Sequence, residues 1–171
     1  METETQGNPA AARPDTTVER TSDREVVVTR SFKAPARVVF DAWAKPELFR
    51  RWWIPASFGM TIVSCEMDVR TGGTYRLQIR HPAAPEPMAF FGRYLEVVPG
   101  ERIVWTNDEG GEGEGAVTTV TFEETGGETQ VVLSDLYPSK EALDEAAESG
   151  ATSGYPVQFD ELEAFLATGA R

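Results

Sequence analysis

The chain has 171 residues, of which 40% are hydrophobic and 26% charged, and its formal net charge at pH 7 is −12. This length and composition are typical of one globular domain of ordinary size. The negative charge argues against nucleic acid, because phosphate binding needs clustered Lys and Arg, and against an anionic membrane surface. One cysteine, Cys65, and one histidine, His81, exclude an internal disulfide and a zinc site of the usual Cys/His ligand count.

The N-terminal stretch differs in composition from the rest of the chain. It is rich in Thr, Glu, Pro, Ala and Asp and has no hydrophobic period, so we predict a disordered tail over residues 1–22 and one domain over residues 23–171. It also lacks the apolar segment of a signal peptide. No apolar run approaches the roughly 18 residues needed to cross a bilayer. We therefore expect a cytoplasmic protein with no membrane insertion.

The predicted domain begins with a strand and two short helices. The segment EVVVTRSF (residues 25–32) alternates in hydrophobicity with the period of a strand. In APARVVFDAWAKP, Val39 and Trp43 fall on one face at the i, i+4 spacing of a helix. Pro46 ends this helix and begins a second one, which Pro55 stops.

The second helix carries adjacent tryptophans in the segment PELFRRWWIP. Trp52 pairs with Leu48 and Trp53 with Phe49, each at i+4 spacing, so the two indoles face different directions. We expect one of them to pack inward against the sheet and the other to line or cover the mouth of a pocket.

From Met60 onward, six predicted strands follow one another, separated by short turns. Gly72-Gly73, Pro99-Gly100 and Gly126-Gly127 are typical turn signals, so the strands should form an antiparallel meander. The loop DEGGEGEG does not have calcium-ligand spacing and is interpreted as a flexible acidic hairpin. A short helix follows Ser139, and a longer one carries the apolar stripe Tyr155, Phe159, Leu162 and Leu166.

A twisted sheet of seven strands curls and leaves a concave face that the C-terminal helix must fill. A straight helix fits a curved sheet imperfectly, so large aromatic side chains should surround a cavity that accepts apolar ligands. The alternative is that the same aromatic side chains make a solid core. We expect Phe159 and Leu162 to line the cavity and to touch Leu77, Phe91 or Trp105.

Five blocks of sequence, in order and with matching spacing, resemble a known family. They are FKAPARVVFDAWAKPELFRRWW, CEMDVRTGGTYRL, FFGRYLEVVPGERIVWT, VTFEETGGETQVVL and GYPVQFDELEAFL. The chain is similar, over about residues 24–168, to bacterial homologues of the activator of the heat-shock-protein-90 ATPase, in the START-like (SRPBCC) superfamily. This resemblance implies an α+β helix-grip (START-like, Bet v-like) fold. A seven-stranded curved antiparallel sheet would wrap around a long C-terminal helix, with two short helices between strands 1 and 2.

The resemblance also implies a deep cavity for hydrophobic small molecules without fixing the ligand. The family usually begins its last helix with Gly-Trp, whereas this chain has Gly154-Tyr155. The residues that we expect to line the cavity are Arg30, Trp43, Trp52, Trp53, Met67, Tyr75, Leu77, Phe91, Tyr94, Trp105, Asp135, Tyr155, Phe159 and Leu162.

Three polar residues have competing interpretations. Arg30 shares the inward parity of its strand, so it should either anchor a polar ligand group or form a structural ion pair with Glu66, Asp68 or Asp135. Asp135 is either an acid of the pocket or a residue of the strand-to-helix turn. His81 lies in a proline-rich loop without a nucleophile or carboxylate placed to orient it, so a solvated loop is the better interpretation.

Three functions follow from these expectations. The first is binding of a hydrophobic or amphipathic small molecule, with no catalytic residues, cofactor or metal. The second is a cofactor-independent enzyme of the polyketide cyclase or aromatase kind, with Arg30, Tyr75, Asp135 and Tyr155 converging on one cavity. The third is a protein that binds a chaperone and stimulates its ATPase; the resemblance implies this possibility, but no residue of the sequence supports it.

Overall fold

The computed structural model describes residues 16–108, 115–150 and 152–169. The predicted acidic loop and the first fifteen residues of the predicted tail therefore lie largely outside the described residues. None of the described helices is both long and apolar enough to span a bilayer. The described elements are, in chain order, β1 (Thr17–Arg20), β2 (Glu25–Phe32), α1 (Ala36–Ala44), α2 (Pro46–Phe49), a 3-10 turn (Ala56–Phe58), β3 (Thr61–Met67), β4 (Thr74–Arg80), β5 (Met88–Val98), β6 (Arg102–Thr106), β7 (Val117–Thr125), β8 (Glu128–Leu136), α3 (Lys140–Ser149) and α4 (Tyr155–Ala167).

The strands form one antiparallel sheet in the order β1-β2-β8-β7-β6-β5-β4-β3. From β3 to β8 each strand pairs with the next one in the chain, which is the predicted meander. The last strand, β8, then pairs along its whole length with β2. With two helices between β2 and β3 and a C-terminal helix against the sheet, the structure confirms the predicted α+β helix-grip fold.

The predicted strand count was wrong, because the described residues contain eight strands rather than seven. The additional strand, β1, lies inside the segment predicted as a disordered tail and pairs with Val26–Thr29 of β2. All four of its residues are exposed. An edge strand without a buried face has no hydrophobic alternation, so main-chain hydrogen bonding to β2 could not be seen in the sequence.

The first two helices are shorter than the sequence pattern suggested. Pro35 stands before the first residue of α1, and Pro46 is the first residue of α2, where a missing N–H costs nothing. The second helix ends at Phe49 rather than continuing to Pro55. The chain then turns so that the indole N–H of Trp52 donates to the carbonyl of Ala42, at 2.9 Å.

Helix α4 lies over one side of the sheet. It contacts β1 and β2, and its Phe159 ring packs against Phe32 of β2 and Trp43 of α1, with ring centroids 5.8 and 6.1 Å apart. Phe159 and Leu162 are fully buried. Because the middle of the helix follows β2, the inner face of strands β3 to β6 is left for other elements to cover.

Candidate functional site

A cavity of about 700 Å³, partly open to solvent, lies over the inner face of strands β3 to β6. Its floor is formed by these strands, one end by α1, α2 and the segment 53–60, and its roof by the end of α3 and the first turn of α4. The described residues that line it are Trp43, Phe49, Trp53, Ile54, Phe58, Met60, Met67, Tyr75, Leu77, Ile79, His81, Phe90, Tyr94, Ile103, Trp105, Asn107, Ser149, Gly150, Ser153, Gly154, Tyr155, Val157 and Gln158.

The residues expected from the sequence divide into two groups. Those that line the cavity are Trp43, Trp53, Met67, Tyr75, Leu77, Tyr94, Trp105 and Tyr155. Those that do not line it are Arg30, Trp52, Phe91, Asp135, Phe159 and Leu162. The second group is explained by strand register, by the position of α4 and by ion pairing.

Phe91 lies on the outer face of the sheet because of the register between β4 and β5. Residues that are opposite each other in an antiparallel pair point to the same face. Phe90 is opposite the buried Leu77, and Phe91 is opposite Arg76. Phe90 therefore lines the cavity, whereas Phe91 is exposed and lies under the guanidinium of Arg76, 5.8 Å from its ring centroid.

Phe159, Leu162 and Trp52 belong to the solid part of the core. Each has no exposed surface. The expectation for the two helical residues was wrong because α4 passes over β2 instead of the middle strands. Only the beginning of α4, from Tyr155 to Gln158, reaches the cavity wall.

Arg30 points away from the cavity, and its expected partners were wrong. It forms ion pairs with Asp160 and Glu163 of α4, the first at 2.6 Å. The Arg30 side chain is 2% exposed, and the two carboxylate side chains are 37% and 43% exposed. Its Nη1 also donates to the hydroxyl of Thr16, at 3.0 Å. Arg30 therefore joins β2 to the outer part of α4, and no ligand in the cavity can reach it.

Asp135 lies behind the cavity wall in a hydrogen-bonded network. Its carboxylate accepts from the hydroxyl of Thr118 at 2.6 Å and from the hydroxyl of Tyr155 at 2.5 Å. Burial raises the pKa of Asp135, and these two hydrogen bonds lower it by less. Burial also raises the pKa of Tyr155 well above that of an ordinary tyrosine, and the nearby Asp135 charge adds to the increase.

The network continues along the wall to Asn107 and Tyr75. The amide of Asn107 donates to Thr118 Oγ1 at 3.0 Å and to the Ala116 carbonyl at 2.8 Å. The hydroxyl of Tyr75 donates to the Thr106 carbonyl at 2.7 Å. This part of the cavity wall is therefore polar, and hydrogen bonds fix the orientations of its side chains.

The segment after α2 closes one end of the cavity. The Trp53 ring stacks on Phe49 with centroids 4.8 Å apart, and the Gln158 amide donates to the Trp53 carbonyl at 2.7 Å. The last contact ties this segment to the first turn of α4. The adjacent tryptophans thus have different surroundings, since Trp52 is fully buried and Trp53 lines the cavity.

Sequence reasoning treated His81 as a residue of a solvated loop, but it lies at the wall. Its Nδ1 accepts from the backbone N–H of Ala83 at 3.0 Å, so the neutral ring carries its proton on Nε2. The wall residues from the segments 54–60 and 149–154 were also missed, because turns have no periodicity to orient a side chain. Phe90 could have been found by placing it opposite Leu77 in the predicted meander.

The chemistry of the cavity wall follows from its lining residues. Nine of the lining residues carry phenyl, phenol or indole rings, and five others are Ile, Leu or Val, so most of the wall is apolar. Within the described residues, no three His, Cys, Asp or Glu side chains come together in a group that could hold a metal ion. Such a wall can bury an apolar molecule and orient it through a few polar atoms.

Comparisons with known proteins agree with this architecture. A family model described as "Activator of Hsp90 ATPase homolog 1-like protein" matches residues 33–167. The crystal structure of a protein from Rhodobacter sphaeroides is similar with a TM-score of 0.80 and 20% identity, covering 90% of this chain and 99% of that one. That of a Mycobacterium smegmatis protein gives 0.76 and 22%, covering 91% and 100%.

A third crystal structure, of a protein from Chromobacterium violaceum, has 27% identity and a TM-score of 0.68, with 82% of this chain and 95% of that one covered. The first two similarities, below 25% identity, establish the fold alone. No curated protein sequence matches the chain significantly.

Proposed function

We propose that this chain, which belongs to the activator of Hsp90 ATPase homolog 1-like family, binds an apolar or amphipathic small molecule in its internal cavity. A ligand-binding or activator-type function is what the family and the fold support in general. The single observation that carries the finer proposal is the cavity of about 700 Å³ with its largely apolar wall. Ligand pockets typically enclose about 300–1,000 Å³ and are mostly apolar. The cytoplasmic location predicted from the sequence is part of the same proposal.

The apolar side chains of the cavity wall provide the physical reason for ligand binding. Apolar side chains around a cavity lack dispersion partners on one side, and water there cannot replace those contacts. A ligand that fills the cavity gains these contacts and removes apolar surface from water, at about 25 cal/mol per Å². The polar region at Tyr75, Asn107 and Tyr155 would orient an amphipathic molecule by its polar end.

The test uses N-phenyl-1-naphthylamine, an uncharged dye that fluoresces in apolar surroundings, with a variant that fills the cavity. A Cβ atom at residue 154 would lie 3.4 Å from the Phe58 ring, and both residues line the cavity. Gly154 has φ −81°, which any residue adopts. Gly154→Leu should therefore extend a side chain toward Phe58 and reduce dye affinity by about tenfold or more.

Thr152→Leu is the matched control, because it adds a similar apolar side chain two residues away at a position that does not line the cavity. We expect it to bind the dye like the unmodified protein. Equal dye binding by both variants, or no binding by the unmodified protein, would rule out the cavity as the site.

The enzyme alternative has lost part of its basis. It required Arg30, Tyr75, Asp135 and Tyr155 to converge on one cavity. Arg30 instead pairs with α4, and Asp135 contacts Tyr155 from behind the wall. We therefore do not propose a reaction.

An activator-type function remains a second proposal, and the family description is the observation that favours it. The measurement is the ATPase rate of an Hsp90-class chaperone with and without this protein. A rate that rises with protein concentration to a plateau would support this function, and an unchanged rate at saturating concentration would reject it.

A further inference from the structure

Gln158, in the first turn of α4, is a buried polar residue in the mostly apolar cavity wall. It is 8% exposed and lines the cavity together with Trp53. Its Nε2 donates to the Trp53 carbonyl at 2.7 Å. Because a carbonyl can only accept, this bond identifies the nitrogen end of the amide, and Oε1 is the end that Trp53 leaves unused.

The Oε1 atom of Gln158 is an acceptor that the described residues leave without a donor. It is not one of the sealed side-chain atoms without a partner, which are Nε of Arg30 and Nε1 of Trp43, so Oε1 has accessible surface. Because Gln158 is otherwise buried and forms part of the cavity wall, the open space next to Oε1 is the cavity. Buried amide oxygens are normally hydrogen-bonded, so a molecule in the cavity gains by supplying a donor here.

Other polar side chains of the wall have already given their hydrogens to the protein. Tyr155 lies three residues before Gln158, on the same face of the helix, and its hydroxyl donates to Asp135 at 2.5 Å. The amide nitrogen of Asn107 likewise gives both of its hydrogens to other protein atoms. This part of the wall is therefore rich in acceptors and poor in free hydrogens.

The wall also lacks the charges that would hold an ionised ligand group. The described lining residues include no Lys, Arg, Asp or Glu, and His81 is the one lining residue that can become a cation. An ionised group needs a counter-charge or several hydrogen bonds to offset its desolvation. A neutral hydroxyl or N–H group therefore suits this wall better than a carboxylate, whose oxygens would face other oxygens.

We propose that the ligand is an uncharged, largely apolar molecule with a hydroxyl or N–H group, which donates a hydrogen bond to Oε1 of Gln158. This inference rests on the proposed function, since it specifies the ligand chemistry of the same cavity. The apolar wall receives the body of the ligand, and Gln158 fixes its orientation. The bond from Nε2 to the Trp53 carbonyl holds the acceptor in place before the ligand binds.

The experiment compares 9-fluorenol with 9-fluorenone, which have the same fused rings and one oxygen each. The alcohol can donate a hydrogen bond, whereas the ketone can only accept one. Each competes with N-phenyl-1-naphthylamine for the cavity. We expect fluorenol to bind about three- to tenfold tighter than fluorenone, since a hydrogen bond contributes modestly in net terms. Without a free acceptor in the wall the ketone would bind tighter, because the alcohol would lose its hydrogen bond to water.

In Gln158→Leu the preference for fluorenol should disappear, because the new side chain fills the same place but has no acceptor. Val157→Ala is the matched control, because it changes the neighbouring wall residue, whose side chain has no polar atom. We expect Val157→Ala to weaken both competitors alike and to preserve the preference for fluorenol. The dissociation constants are corrected for the dye affinity of each variant.

Equal or tighter binding of fluorenone by the unmodified protein would overturn the inference, and so would a preference for fluorenol that persists in Gln158→Leu. Loss of the preference in Val157→Ala as well would assign it to the shape of the wall and would also overturn the inference. Failure of the dye and both competitors to bind would instead reject the proposed function itself.

A measurement on the unmodified protein covers the case in which Gln158→Leu does not fold. The side-chain carbonyl carbons of glutamine are observed by NMR in ¹³C,¹⁵N-labelled protein, and Gln6, Gln78 and Gln130 serve as references. Fluorenol should move the Gln158 carbonyl carbon downfield, because its oxygen then accepts a hydrogen bond, and fluorenone should not. Equivalent shifts with both compounds would contradict the hydrogen bond.

Discussion

Arg30 illustrates how one buried charge depends on partners that are partly in water. Its guanidinium lies inside, beside the ring of Phe32, while Asp160 and Glu163 remain more than a third exposed. Water screens the carboxylates, so these ion pairs contribute less than a fully buried pair would. Because Arg30 is buried and the two carboxylates are partly exposed, removing the guanidinium and removing the carboxylates should change the free energy of unfolding by different amounts.

We predict that the double change Asp160→Asn and Glu163→Gln destabilises the protein more than Arg30→Met does. The double change leaves a buried guanidinium without a counter-charge, at a cost on the order of 3 kcal/mol before the discount for screening. Arg30→Met removes the buried charge, keeps an apolar stem and leaves two carboxylates that water can hydrate. The free energy of unfolding in urea measures both. The reverse order of the two costs would contradict this account of Arg30.

Asp135 should make stability depend on pH in a direction opposite to that of a salt-bridged aspartate. Burial raises its pKa in the folded protein, so the folded state holds this proton more tightly than the unfolded state does. The stabilisation from protonated Asp135 is complete below about pH 3.9, the ordinary value in an unfolded chain. It is lost as the pH rises through the higher folded pKa.

We therefore predict that Asp135 makes the free energy of unfolding decrease as the pH rises. This contribution should be absent in Asp135→Asn, whose side chain stays neutral. The free energy of unfolding of the unmodified protein, minus that of Asp135→Asn, should fall as the pH rises from about 4, by about 1.4 kcal/mol for each unit of pKa shift. Asp68→Asn is the control, because Asp68 is exposed and pairs with Arg70 at the surface. A difference that grows with pH would show that the hydrogen bonds from Thr118 and Tyr155 outweigh burial.

Helix α4 divides into a part that makes core and a part that makes cavity. Phe159 packs on Phe32 and Trp43 without exposed surface, whereas Tyr155 and Gln158 line the wall. We predict that Phe159→Ala costs about 3–5 kcal/mol, as in a solidly packed site, and leaves the affinity for N-phenyl-1-naphthylamine unchanged. Urea unfolding and a dye titration on the folded variant measure the two effects. A small loss of stability with altered dye affinity would place Phe159 in the cavity wall after all.

How much of this architecture the sequence predicts depends on the kind of element. The meander, the two short helices and the C-terminal stripe all come from periodicity and turn residues, so the fold was predictable. Strand β1 was not, because its four exposed residues carry no pattern. The choice between Phe90 and Phe91 depended on strand register, which a single strand does not reveal but its neighbour does.

The candidate site was predictable only in part, because it depends on how elements pack against one another. Aromatic residues on inward strand positions, such as Tyr75 and Trp105, line the cavity as expected. The partners of Arg30 are 130 and 133 residues away along the chain, and no local pattern identifies them. The position of α4 over β2 decides which of its residues reach the cavity, and this position is a property of the packed molecule.

At the scale of the whole molecule, one sheet carries two different interiors. On the β2 side the concave face is filled by α1 and α4, with Phe32, Phe159 and Leu162 fully or almost fully buried. On the β3 to β6 side the same face is left with a cavity of about 700 Å³. An empty apolar cavity of this size lowers the stability of the folded protein. The presence of such a cavity is therefore our main argument that a molecule binds there.

The most direct test of this account is a crystal structure of the protein grown with N-phenyl-1-naphthylamine. We predict continuous electron density for the compound inside the cavity, between Trp43, Trp105 and the first turn of α4. A structure in which the rings of Trp53, Phe58 and Trp105 have collapsed together and left no room for the compound would contradict the account.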